Sequence, residues 1–88
     1  MVHELKTHPE YFAAIYSGIK NFELRKNDRE YKIGDELLLK EFYPEGASWD
    51  STKLGYTGRI LHRRVDYILR GGKFGLEEGY VIMAISKL

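Results

Sequence analysis

Eighty-eight residues, 43% hydrophobic and 31% charged, with a formal net charge of +1, describe a single small domain, residues 1–88, with one core. That balance excludes a low-complexity or linker-dominated chain, and the absence of cysteine excludes a disulfide framework and a thiolate metal site. The opening residues Met-Val-His-Glu-Leu-Lys lack a signal peptide's apolar stretch, and no run approaches the roughly 20 apolar residues of a membrane span. The expectation is a soluble, cytoplasmic chain with no membrane partner.

Val2 to Thr7 alternates, with His3 and Leu5 opposite Glu4 and Lys6, and predicts a short strand. Thr7-His8-Pro9-Glu10 reads as a helix start, with Thr7 as cap, Glu10 as its reciprocal partner and Pro9 in the first turn. Phe12, Ile15 and Tyr16 then form one apolar stripe, so a helix is expected near residues 8–17, stopped by Gly18. From Asn21 the period becomes two: Phe22 and Leu24 are expected in the core, with Asn21, Glu23 and Arg25 on the other face. Asn27 to Glu30 reads as a loop and Lys32-Ile33-Gly34-Asp35 as a tight turn.

Glu36 to Tyr43 predicts a strand, Pro44 to Gly55 a loop, and Tyr56 to Leu69 a long extended segment with a bulge near Arg63 and Arg64. A glycine-rich connection then leads to a closing strand, Tyr80 to Ser86. One N-terminal helix and about five strands predict a small, mostly β (α+β) fold, a closed or nearly closed barrel without exposed edges. Its expected core includes Phe12, Ile15, Phe22, Leu24, Leu38 and Ile82, and the seven Tyr and four Phe suit a small core or a stacking surface equally.

Charge is unevenly distributed. Lys53, Arg59, Arg63, Arg64, Arg70 and Lys73 face only Asp66 over residues 53–73, whereas residues 35–50 hold Asp35, Glu36, Glu41, Glu45 and Asp50 against Lys40. The basic segment either focuses a positive field for a phosphate backbone or is a set of solvated strand faces. Lys20, Glu23 and Arg25 form a second charged element. Glu23 and Arg25 share a strand face, and Lys20, at the helix-to-strand turn, is free to join them. Two cations around one carboxylate suit a ligand with anionic and hydrogen-bond-donor groups, such as a nucleotide. Spacing alone favours a surface ion-pair network over such a site.

The element Gly18-x-Lys20-x-x-Glu23-x-Arg25, placed after a short helix and before Ile33-Gly34-Asp35 and an apolar strand, resembles the ASCH domains of the PUA-like superfamily. The opening strand, the helix and the Tyr80-Val81-Ile82 strand fit the same layout, so the resemblance covers essentially the whole chain. It implies a β-barrel with a cleft beside the first helix that binds RNA or a modified nucleotide, lined by Lys20, Glu23 and Arg25, with Gly18 letting the backbone turn into it. One enzymatic subgroup of that family hydrolyses acylated cytidine with a lysine, a threonine and a glutamate. Here Glu23 stands where that threonine is expected, and Thr57 is a candidate hydroxyl from another strand.

His3, His8 and His62 do not follow a metal-ligand spacing. Trp49 is read as a plug for one barrel end, or as a platform for a base. Gly71-Gly72-Lys73-Phe74-Gly75 lacks phosphate-loop spacing. The leading expectation is therefore an RNA- or nucleotide-binding module. Gly18, Lys20, Glu23 and Arg25 would form its cleft, and Arg59, Arg63, Arg64, Arg70 and Lys73 would touch the phosphate backbone. The alternative is a small amidohydrolase acting on a modified nucleoside, with Lys20 as base or nucleophile activator and Glu23 as proton-transfer partner. A third, plainer reading is a regulatory or structural domain whose polar face is only solvated. No metal or cofactor is expected, and oligomeric state is left open.

Overall fold

The computed structural model describes residues 1–44 and 55–88; Trp49 and most of the expected 44–55 loop lie outside the described residues. Within them the chain forms β1 (Val2–Thr7), α1 (Pro9–Tyr16), β2 (Phe22–Lys26), β3 (Glu36–Tyr43), β4 (Gly55–Arg70) and β5 (Tyr80–Lys87). The strands make one sheet in the order β1-β3-β4-β5-β2, parallel only between β1 and β3. The architecture is mostly β, a five-stranded half-barrel with one short helix. The closed or nearly closed barrel expected is met in this coarser form, with β1 and β2 remaining as the sheet's two edges.

The turns follow the local chemistry. Gly18 takes φ +84° just past the helix, and its N–H donates to Ile15 O at 3.1 Å. Gly34 takes φ +93° in a turn closed by Asp35 N–H on Lys32 O at 3.0 Å. The helix start differs from expectation. His8 is the cap position and makes no side-chain cap, while Thr7 belongs to β1 and its hydroxyl donates to Leu5 O. The parallel β1–β3 pairing carries the strand through Thr7, which takes its side chain inward.

Leu5, Phe12, Ile15, Tyr31, Leu37, Leu39, Val65, Val81, Met83 and Ile85 are buried, each large aliphatic side chain contributing about 1.5–3 kcal/mol. Phe12 and Ile15 lie inside as expected, but the strand faces are the reverse of those expected. Phe22 and Leu24 are 43% and 52% exposed while Glu23 between them is 3% exposed. Leu38 and Ile82 are half-buried, and their neighbours Leu37, Leu39, Val81 and Met83 fill the core. Both sheet faces carry apolar residues, so a period of two identifies the strands without saying which face turns inward. In β2 the choice goes to the face whose carboxylate finds two cations.

The bulge in β4 falls at Asp66, between Val65 and Tyr67, slightly later than expected. It shifts the alternation by one residue: Leu61 and Val65 address the core before it and Ile68 after it. Along the inner face, three rows run from one with polar flanks, through an apolar one, to a polar one. The row His3–Leu37–Arg63 is followed by Leu5–Leu39–Leu61 and then by Thr7–Glu41. The half-barrel thus has an apolar middle and two polar ends.

Candidate functional site

At one polar end the two sheet edges approach each other. Glu36 N–H donates to Met1 O, which turns the odd-numbered main-chain groups of β1 toward β3 and leaves those of Glu4 and Lys6 on the open edge. Ile85 N–H to Asn21 O and Asn27 N–H to Gly79 O fix β2 likewise, with Phe22 and Leu24 facing the gap. Side chains bridge that gap. Arg25 donates from a terminal nitrogen to Lys6 O at 2.9 Å and reaches Thr7 Oγ1 at 3.4 Å, and Arg29 donates to Glu4 O at 2.9 Å.

The three charged residues of the Gly18–Arg25 element converge here. Arg25 Nε donates to Glu23 Oε2 at 2.8 Å, and Lys20 Nζ lies 3.4 Å from Glu23 Oε1 and 2.6 Å from Phe22 O. Glu23 is buried, so its carboxylate serves as the fixed anchor of two partly exposed cations, not as a surface ion pair. Gly18 shapes the turn without lining the site. Beside the trio lies a cleft of about 420 Å³, lined by Lys6, Thr7, His8, Tyr11, Lys20 and residues 22–25. Its lining carries Lys6, Lys20 and Arg25 against Glu23 alone, a positive excess suited to an anionic guest.

Thr7, Tyr11 and His8 went unnoticed in the sequence as cleft residues. The only signal available was that β1 leads directly into the helix beside the motif. Thr57, the candidate hydroxyl, instead donates to the buried Glu41 at 2.8 Å and does not line this cleft.

The expected basic face does not form. The Arg59 guanidinium lies over the rings of Phe12 and Tyr16 at 5.0 and 5.4 Å and within 3.9 Å of Glu41. Arg63 is buried on the inner face and donates to His62 O, so it is not placed to meet phosphate. Arg64 is on the outer face with Asp66 and Ser86, and Arg70 and Lys73 are exposed beyond it at the end of β4 and in the next turn. Strand alternation and the bulge divide a continuous basic segment between two faces.

At the other polar end, His3 Nε2 donates to Asp35 Oδ2 at 2.8 Å, Lys32 N–H donates to the same oxygen at 3.0 Å, and the N-terminal ammonium donates to Oδ1 at 3.2 Å. Burial pushes the Asp35 carboxyl up, but these donors more than offset it and hold it below the ordinary value. The Tyr31 ring meets His3 edge-on at 4.8 Å, and burial raises its hydroxyl while Arg25 and Arg29 pull it down. Among the described residues no group of three or more His, Asp or Glu is arranged to hold a metal ion, and no helix is long and apolar enough to cross a membrane.

Over 64 residues the chain is 46% identical to an uncharacterized 12.9 kDa protein in the GpA 3′ region of Escherichia phage P2, a stretch covering 73% of this chain and 50% of that protein. The chain therefore spans about half the length of that relative. Residues 2–85 match the family described as a domain of unknown function, DUF3850, and the protein belongs to that family.

Proposed function

We propose that the chain is an ASCH-like member of the PUA-like superfamily that binds RNA or a nucleotide in the cleft beside α1. The observation that carries this reading is the convergence of Lys20, Glu23 and Arg25 on that cleft, with Glu23 buried and the cations in excess. Buried ionic anchoring is costly, and here it fixes two cations at the wall of a cavity. Lys20 is the ligand-facing charge, and Arg25 both adds to the field and holds β2 to β1. A cytoplasmic setting goes with this reading.

The test is fluorescence anisotropy with a labelled single-stranded RNA octamer across a salt series. Log affinity should fall linearly with log salt, with a slope of about −1.4 to −2.1 for two or three neutralised phosphates on a single strand. Lys20→Ala should weaken binding by about ten-fold or more while shifting Tm by less than about 4 °C, since its ion pair is at the partly exposed rim. Absence of binding at low salt, or binding indifferent to Lys20, would overturn the reading.

A second reading, a small amidohydrolase, is supported by Thr7. Thr7 lines the same cleft as Lys20 and Glu23, so a lysine, a threonine and a glutamate share one cavity. Turnover of an acylated cytidine that is lost in Thr7→Val and Lys20→Ala, with substrate binding retained in part, would favour hydrolysis over binding alone.

A further inference from the structure

Two aromatic rings converge on Lys20. Its Nζ lies 5.6 Å from the Tyr11 ring centre and 4.7 Å from that of Phe22, one ring on α1 and the other on β2. These rings are 48% and 43% exposed, and both line the cleft. Tyr11 is backed by His8, with centroids 6.0 Å apart and ring planes 16° from parallel, which restrains it before any guest arrives. Scattered exposed aromatics need no explanation, but here two rings on different elements share one ammonium at a cavity wall. A planar guest between them needs about 7 Å from ring to ring, a separation that the two distances to Lys20 permit.

We propose that the cleft takes one unpaired nucleobase stacked between Tyr11 and Phe22, with Lys20 moving from between the rings to the attached phosphate. This rests on the nucleotide-binding reading above and names the part of the ligand that is recognised. Bare phosphate would gain nothing from the rings, and a cationic guest would meet the excess of Lys6, Lys20 and Arg25. A base within a duplex has its faces covered by neighbours, so the slot selects an unstacked one. The main chain of Leu24 faces the open edge of β2 beside the slot and offers a donor and an acceptor to the base edge.

The experiment compares the four nucleoside 5′-monophosphates with ribose 5-phosphate by NMR shift titration on the whole chain. The monophosphates should bind about ten-fold or more tightly than ribose 5-phosphate, and Phe22→Ala and Tyr11→Ala should each weaken them by about five-fold or more. Neither substitution should change ribose 5-phosphate affinity, and Phe22→Tyr should keep nearly full binding. The two alanine variants lie on different elements, so one remains informative if the other misfolds. Equal binding of ribose 5-phosphate, or monophosphate binding indifferent to both alanine changes, overturns the slot and leaves a phosphate cleft. Phe22→Tyr binding no better than Phe22→Ala also overturns it. If the RNA octamer binds and no monophosphate does, the slot again falls while the wider reading stands. If nothing binds, both fall.

Discussion

The two polar ends of the half-barrel use the same currency differently. Around Asp35, a buried carboxylate meets a buried imidazole, a main-chain N–H and an ammonium in a satisfied cluster that does not line the cleft beside α1. Around Glu23, a buried carboxylate meets two cations that are themselves partly exposed and stand at the wall of a 420 Å³ cleft with aromatic rings beside them. Burial of a charge therefore does not mark a site by itself. What distinguishes the Glu23 end is that its partners face a space another molecule can enter.

This contrast predicts unequal costs. Asp35→Ala strands the buried His3 and the Lys32 N–H, and should cost about 3 kcal/mol, a Tm loss on the order of 15 °C. Glu23→Ala strands Lys20 and Arg25 at a solvated wall, and should cost about 1–2 kcal/mol, or on the order of 8 °C. Thermal melts of the two variants compare the ends directly, and a Glu23 loss equal to or larger than that of Asp35 would break the distinction. The smallest effect is one of acidity. Because the folded Asp35 carboxyl lies below the ordinary 3.8, its contribution is complete above that value and is lost as pH falls from there through the folded value. Urea midpoints measured from about pH 6 down to about pH 2 should show this acid limb, and Asp35→Asn should flatten part of it. A limb unchanged in Asp35→Asn would assign the acid sensitivity elsewhere.

Local signals in the chain foretold much of this. The strands β1, β3 and β5 lie within a residue of where alternation put them, and Gly18 and Gly34 take the turn conformations their neighbours require. The closeness of Lys20, Glu23 and Arg25 was legible in their spacing, but that spacing alone favoured a surface ion-pair network, and only the resemblance to ASCH domains pointed to a cleft. The inward face of β2 was not. Phe22 and Leu24 are the more apolar pair, yet the paired Glu23 turns inside, and that outcome depends on Arg25 meeting β1 some 19 positions away in sequence. Thr7 and Tyr11 were missed for a similar reason, since only the tertiary closeness of β1, α1 and β2 makes them neighbours of the motif. The separation of Arg63 from Arg64 follows from plain alternation ahead of the bulge, whereas the side taken by Arg70 depends on where β4 bulges, which no local pattern specifies to the residue.

The guanidinium bridges between the sheet edges also bear on how the chain behaves among its own copies. A sheet edge with bare carbonyls invites pairing by a second chain. In β1 the open-edge carbonyls of Glu4 and Lys6 are already taken by Arg29 and Arg25, so two side chains withhold the template a docking strand would need. Arginine at these positions thus blocks strand addition at the β1 edge as well as shaping a cleft, a property that would be lost with the side chains even where the fold survived.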